Sequence, residues 1–450
     1  MHLSELRGRR VAVWGTGREA MAAINAIEAY APAEMFTVQD KTTFLAREWT
    51  GHLAEIAPIH QGDAAREALR KAEIVVRSPG VGESNPWIKE LRDRGVPITS
   101  GTALWMADHA HHAIGVTGSK GKSTTTSLIH HVLAAVGRPS TIGGNIGIAV
   151  LDLPPADLYV IELSMYQCAD LDDSPRLVGL TSLYEEHLDW TRDHLPAQYY
   201  AHKLNIVEHG PEAVVFNATD PTLRAELAAR PGLPLVAAGG PDTFHVRDGW
   251  FHLAGEPLFA RSDLPLAGRH NEGNLCVALG VMQAAGVDCV AERDRIAAGL
   301  RTFQALPHRL TEIADPSGMT FVDDSISTIP QATIHAIDAY AGRPLTVIVG
   351  GQDRGIDYGP LRDFVMRNPR DMTFIGVPDN GPRILATAVD APHVTTVLAA
   401  DLADAVRLAR VHTPPGGVVL LSPAAPSYDH FDNFEARAKA FRAAVEASAP

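Results

Sequence analysis

Thr117-Gly118-Ser119-Lys120-Gly121-Lys122-Ser123-Thr124 is a run of small and basic residues in the first half of the chain. It follows a strand-like run, His112 to Val116, and precedes a stretch in which Leu128, Val132 and Val136 recur at i, i+4 and i+8. That recurrence predicts a helix with one apolar stripe, stopped by Gly137 and Pro139. A small-residue loop between a strand and a helix N-terminus can aim backbone amides at phosphate. Gly118 and Gly121 permit the curvature, and Ser119 and Lys120 complete the cradle. Lys122 can neutralise β/γ-phosphate charge, while the Ser123 or Thr124 hydroxyl can ligate Mg²⁺. The general Walker pattern wants glycine at position 116, where this chain has Val116. That departure weakens a generic nucleotide-hydrolase reading but leaves Gly121-Lys122-Ser123 in place, so ATP is the expected cofactor.

Outward from this loop, apolar runs such as Val11–Trp14, Ile74–Val76, Leu158–Ile161, Leu345–Val349 and Val418–Leu421 alternate with alanine-rich, helix-like stretches. Such alternation predicts α/β architecture with parallel sheets. At 450 residues the chain exceeds one ordinary core, and three domains are expected, over 1–108, 109–305 and 306–450. In the first, a strand from Val11 to Trp14 leads through Gly15-Thr16-Gly17-Arg18-Glu19-Ala20 into a helix reaching Ile27, then a strand ending at Asp40. The turn approximates a Rossmann dinucleotide fingerprint, with Gly15 and Thr16 near phosphate and Asp40 where a ribose-binding acid sits. The same glycines also suit a turn with no ligand. The third domain begins after Ala305-Leu306-Pro307-His308-Arg309, with strands near Phe321, Val347, Phe374 and Val419 and loops over 354–360 and 378–383.

Composition excludes several classes. A formal charge of −14 argues against a general nucleic-acid binder. The N-terminus lacks the apolar core of a signal peptide, and no apolar run approaches the roughly 20 residues that span a bilayer, so a cytoplasmic protein is expected. Cys168, Cys276 and Cys289 are too few for a disulfide framework or zinc cluster and read as buried thiols.

Further short motifs follow the phosphate loop in order: Gly143-Gly144-Asn145-Ile146-Gly147, Glu162-Leu163-Ser164 with Gln167, Glu186-His187-Leu188-Asp189, and Lys203. Then come His270-Asn271 with Asn274, Leu306-Pro307-His308-Arg309, Asp324-Ser325 and Ser422-Pro423-Ala424. This ordered set resembles the Mur ligase family over essentially the whole chain, with spacing similar to the MurD type. The resemblance implies Rossmann-like N- and C-terminal domains around a central P-loop ATPase-like domain. It also implies a monomeric, ATP-dependent amide-bond ligase of peptidoglycan precursor synthesis. In that family the carboxylate of UDP-N-acetylmuramoyl-L-alanine takes phosphate from ATP, and glutamate attacks the acyl phosphate.

By resemblance Glu162 is a Mg²⁺ ligand, and His187 and Lys203 belong to a second metal site in which Lys203 is carbamylated; with Lys122 they form the catalytic set. Read alone, Lys203 is a surface helix lysine and His187 part of a polar segment. Asn274 resembles an adenine-contacting asparagine, and Arg309 and Asp324 resemble residues that reach ATP on domain closure. Asn145, Ser164 and Gln167 resemble the lining of the muramoyl-peptide path. Local caps, turns and strand-end hydrogen bonds are their ordinary alternatives.

The pattern departs from the family in the third domain. Ile326 and Arg354 stand where MurD-type enzymes carry lysines, while Thr328, Ser427 and Phe434 match the glutamate-binding positions. Losing one cation and exchanging another for a planar, bidentate donor repositions substrate carboxylates. With the Trp14-to-Glu19 turn, these changes resemble a branch that adds L-glutamate, and L-glutamate is the expected substrate, with D-glutamate as the alternative. A folylpolyglutamate-synthase-like ligase would bind a pterin rather than a UDP-linked acceptor. A P-loop binding protein would not need the acceptor motifs, and a nicotinamide oxidoreductase finds no hydride-transfer site here.

Overall fold

A computed structural model describes residues 1–39, 55–186, 188–428 and 430–450. These form two compact units, Met1–Leu264 with Gly273–Phe303, and Pro265–Glu272 with Gln304–Pro450.

The first unit holds two parallel sheets. One has five strands in the order Ile59–Gln61, Glu34–Gln39, Arg10–Trp14, Ile74–Arg77, Ile98–Ser100. Its alternate residues divide between two cores: Val11, Val13, Ile74 and Val76 on one face, Ala12, Trp14 and Val75 on the other. Burial on both faces explains why these strands read as unbroken apolar runs. The other sheet has six strands, Leu235–Ala238, Ala213–Asn217, Leu177–Leu180, Ala113–Thr117, Tyr159–Glu162 and Thr141–Gly144. Ala113–Thr117 is central, so the loop leaving it emerges mid-sheet and feeds the helix Lys122–Ala135. Leu128 and Val132 are fully buried along that helix, and Gly137 follows it at φ +81°, the left-handed stop expected of it.

The second unit is a six-stranded sheet, Thr311–Ala314, Thr320–Asp323, Val418–Leu421, Leu345–Val349, Met372–Gly376, Val394–Leu398, parallel except for its first strand. The four expected strands lie at its centre. The two edge strands carry polar and half-buried residues and were not legible. The expected loops are shorter than 354–360 and 378–383, because helices begin at Gly359 and Gly381, each with proline at its second residue. Proline fits the first turn of a helix, where its missing amide is not needed. The first unit also carries a three-stranded antiparallel sheet over Phe244–Ala260, which the sequence pattern did not announce. Cys168, Cys276 and Cys289 are buried free thiols. Among the described residues no helix is long and apolar enough to cross a membrane.

Candidate active site

Two glycines fix the path of the phosphate loop. Gly118 has φ +151°, and a Cβ there would lie 2.0 Å from Thr181 Oγ1 and 2.9 Å from the Ser182 amide nitrogen. Gly121 has φ +90°, and its added Cβ would meet Asn274 Oδ1 at 2.2 Å. Gly118→Ala is therefore expected to cost about 2–4 kcal/mol, combining backbone strain with overpacking, and to abolish nucleotide binding. Calorimetric titration with ATP and a melting curve check both parts.

The loop is tied down from behind. The Ser119 amide donates to Ser182 O (2.8 Å) and the Lys120 amide to Ser182 Oγ (2.9 Å). Ser119 Oγ accepts from the Tyr184 amide and is 2.8 Å from the Tyr199 hydroxyl, so this hydroxyl builds the scaffold. The helix ladder begins with Thr125 N donating to Gly121 O, which leaves the amides at its first turn outside the intrahelical pattern. Lys122 Nζ donates to Ser119 O (3.1 Å), and Lys120 Nζ pairs with Glu186 Oε1 at 2.8 Å. Ser123 and Thr124 are nearly buried at the same helix start.

Lys203 is not the surface lysine that its sequence context suggested. It lies at the end of helix Pro196–Leu204, is 3% exposed, and donates from Nζ to Gly118 O at 3.0 Å. Burial first, and then the nearby Lys122 charge, pull its amine down to about 7. Its neutral form is thus populated near neutrality.

Glu162 ends strand Tyr159–Glu162 beside the loop and is buried. Its Oε1 accepts from Asn145 Nδ2 at 2.7 Å, while Oε2 has no hydrogen-bond partner. A buried carboxylate oxygen left unmatched is costly unless a cation or donor meets it, and this orphan fits a metal ligand. Among the described residues no three His, Cys, Asp or Glu side chains converge. That donor set suits magnesium, which takes one or two carboxylates together with phosphate and water oxygens. His187, like Asp40, lies outside the described residues.

Asn145 also faces a second feature. A cavity of about 860 Å³ is lined by Gly15 and Thr16 of the first turn, by Arg18, Ser78 and Gly80, and by Asn145, Gln167 and Trp190. Five residues of the turn, Gly15 to Glu19, therefore share one space with two of the expected acceptor-path residues, Asn145 and Gln167, the first of which is the hydrogen-bond partner of Glu162. Ser164 and Gln167 form a capping box at helix Met165–Cys168, with Ser164 N donating to Gln167 Oε1 at 3.0 Å. Gln167 thus has a local structural task as well as a place in the lining. Arg77 went unnoticed in the sequence: it is buried, pairs with Glu83 (2.7 Å) and Asp170 (2.5 Å), and lies under the Trp190 ring. A lone arginine ending an apolar run carries no signal for such a network.

In the second unit, Asp324–Thr328, Gly350–Arg354 and Ser422–Ser427 leave three neighbouring parallel strands at their carboxyl ends. Open α/β sheets place ligands at that edge. Burial pushes the Asp324 carboxyl up to about 6, opposed by hydrogen bonds from Ser327 and Ser422. His308 and Leu310, at φ +60° and +50°, flank Arg309, and His308 Nδ1 meets Asp323 Oδ2 at 2.7 Å. Arg354 is exposed; it donates to Gln352 Oε1 and lies 5.6 Å from the Tyr428 ring centre. Thr328 and Ile326 are half-buried, Ser427 is buried, and Phe434 accepts from Ser325 Oγ through its carbonyl. Arg437, also missed, is buried and donates to Ser325 O, Ala425 O and Pro426 O, joining two of these segments.

Residues 116–282 match the Mur ligase middle domain. The whole chain is similar to a UDP-N-acetylmuramoyl-L-alanine–L-glutamate ligase of Micromonospora sp., 58% identical over 100% of this chain and 99% of that protein. It is likewise similar to the Salinispora tropica protein of the same name, 58% identical with 100% of each chain covered. Among solved structures it is similar to UDP-N-acetylmuramate–alanine ligase MurC from Thermotoga maritima, with a TM-score of 0.58 at 17% identity, over 98% of this chain and 100% of that one. At such identity the likeness speaks for the fold.

Proposed function

We propose that this chain, which belongs to the Mur ligase family, uses ATP to join L-glutamate to UDP-N-acetylmuramoyl-L-alanine in peptidoglycan precursor synthesis. One observation carries the chemistry: Asn145 both lines the cavity and hydrogen-bonds Glu162, whose second oxygen is unmatched beside the phosphate loop. An acceptor seated in the cavity would bring its carboxylate to the place where phosphate and a cation are held.

A carboxylate is a poor electrophile toward an amine. In the proposed sequence the acceptor carboxylate oxygen attacks the γ-phosphorus of ATP, ADP leaves, and an acyl phosphate forms. The glutamate amine then attacks the acyl carbon, loses a proton and expels phosphate. Gly118 to Thr124 hold the triphosphate, and Lys122 offsets the charge that builds on it. Mg²⁺, when bound, would screen the crowded phosphate and carboxylate charges. Glu162 and Ser123 are the residues that would hold it, with His187 and a carbamylated Lys203 at a second position. Gly15, Thr16, Asp40, Asn145, Ser164 and Gln167 are assigned to the acceptor, Asn274, Arg309 and Asp324 to ATP, and Thr328, Arg354, Ser427 and Phe434 to glutamate. The functional division is 1–108 for the acceptor, 109–305 for ATP and 306–450 for glutamate, in a cytoplasmic monomer.

The choice of L-glutamate rests on the names of the full-length relatives, and the half-buried Ile326 and exposed Arg354 support it. Purified protein given UDP-N-acetylmuramoyl-L-alanine, ATP and Mg²⁺ is expected to release phosphate and form peptide with L-glutamate. Inactivity with both enantiomers would overturn the ligase reading. Faster turnover of D-glutamate would overturn only the stereochemical one.

A further inference from the structure

Trp190 directly follows the Glu186-His187-Leu188-Asp189 motif and touches both the cavity wall and the helix that carries Lys203. Trp190 is 6% exposed and lines the cavity. Its indole Nε1 donates to Pro79 O at 2.9 Å, and its own carbonyl accepts from the Ser84 amide at 3.2 Å. Gly82 leaves room for it, since a Cβ there would meet Trp190 O at 3.1 Å. One segment of the cavity wall, Pro79 to Ser84, is therefore fastened to this residue at both ends.

The other contacts of Trp190 adjoin residues assigned to the chemistry. Its ring meets the edge of His202 at 5.6 Å, the residue beside Lys203, and packs on Tyr166 at 5.3 Å. The Arg77 guanidinium, 4.9 Å from the ring centre, is itself fixed by Glu83 and Asp170. Four residues earlier in the same segment, Glu186 holds Lys120 of the phosphate loop at 2.8 Å. A shift of the Pro79–Ser84 wall bears directly on Trp190, because the bonds at Pro79 and Ser84 are made by its own atoms, while Val81 and Glu83 between them are held by Arg77 beneath its ring. Movement of Trp190 in turn bears, through His202, on the helix end that carries Lys203, whose amine is bonded to Gly118 of the phosphate loop.

We propose that Trp190 is a positioning residue that couples occupation of the acceptor cavity to the geometry of the phosphate loop, so that acceptor and nucleotide strengthen each other's binding. This rests on the ligase reading above for the identity of the two ligands. Coupling between sites is a ratio of affinities and is reciprocal, so it can be read without turnover.

The experiment measures the dissociation constant of β,γ-imido-ATP with Mg²⁺, with and without saturating UDP-N-acetylmuramoyl-L-alanine, in the full-length protein. The wild type is expected to bind nucleotide at least about fivefold more tightly with acceptor present, the lower end of ordinary coupling. Trp190→Phe keeps an apolar ring but loses the bond to Pro79, and its ratio is expected to fall close to one while it binds nucleotide alone as the wild type does. A ratio in Trp190→Phe equal to that of the wild type overturns the proposal. Gly82→Ala, which crowds the same contact from the cavity side, is expected to lower the ratio as well; should Trp190→Phe not fold, an unchanged ratio in Gly82→Ala overturns it. A wild type that makes peptide yet shows no coupling overturns the positioning role and leaves the ligase reading standing. Absence of both product and acceptor binding overturns both.

Discussion

Lys122→Ala is expected to cut peptide formation by at least about a thousandfold, roughly 4 kcal/mol of lost transition-state stabilisation, while acceptor affinity changes by no more than a few-fold. The reasoning starts from position. Lys122 is the first residue of helix Lys122–Ala135, and its Nζ reaches back over the loop to Ser119 O. A triphosphate held by this loop would therefore meet the cation without reorganisation as charge builds on the transferred phosphate. The cavity is lined by other residues, which is why acceptor binding should survive. Fold stability should also survive, because the side chain is only half-buried and its removal opens no apolar void. Phosphate release and peptide formation measured beside acceptor titration test the claim. Turnover above a tenth of the wild-type rate would remove Lys122 from the chemistry.

Why the central fold was legible and other parts were not follows from burial. A strand buried on both faces, such as Leu345–Val349, is apolar at every position except Thr346, so its composition announces it. The edge strand Val394–Leu398 has no fully buried residue and keeps threonines, and it looks like a loop in sequence. Glycines were readable for a different reason: Gly118 and Gly121 are required by backbone angle and by close neighbours, and such demands leave no substitute. The residues that escaped notice hold others in place. Arg77, Trp190 and Arg437 acquire meaning only from partners far away in sequence, at Asp170, Pro79 and Ser325. Short-range pattern cannot encode a partner about a hundred residues distant, and long-range hydrogen bonds and ion pairs are what assemble a site on separate loops. Asp40 and His187 lie outside the described residues, so the first rests on its place after the glycine turn and the second on resemblance.

Lys203 shows how an apparently ordinary residue can carry a burial penalty that depends on pH. Unmodified, its amine titrates at about 7 against an ordinary 10.5, lowered first by burial and then by Lys122. Between those values the unfolded chain holds a proton that the folded chain does not, so stability falls as pH drops from 10.5 towards 7, and the loss is complete below about 7. The same depression makes the amine available for chemistry. At neutral pH an exposed lysine is neutral in roughly one molecule in three thousand, whereas a group with this shift is neutral in about half. Only the neutral amine can attack CO₂; forming that N–C bond and releasing a proton would turn the side chain into an anionic oxygen donor beside Gly118. Two results of opposite sign are therefore expected from Lys203→Met. Peptide formation should fall by about a hundredfold or more, as when a supporting ligand of a metal site is removed. The melting temperature at pH 6.5, in buffer stripped of CO₂, should rise by a few degrees, because a similarly shaped apolar side chain replaces a buried amine at a pH where its penalty is nearly full. Wild-type turnover in the stripped buffer should drop and return on adding bicarbonate, whereas Lys203→Met should not respond. A variant that works within tenfold of the wild type would end the catalytic assignment, and one that melts lower at pH 6.5 would show that the bond to Gly118 O outweighs the burial of the amine.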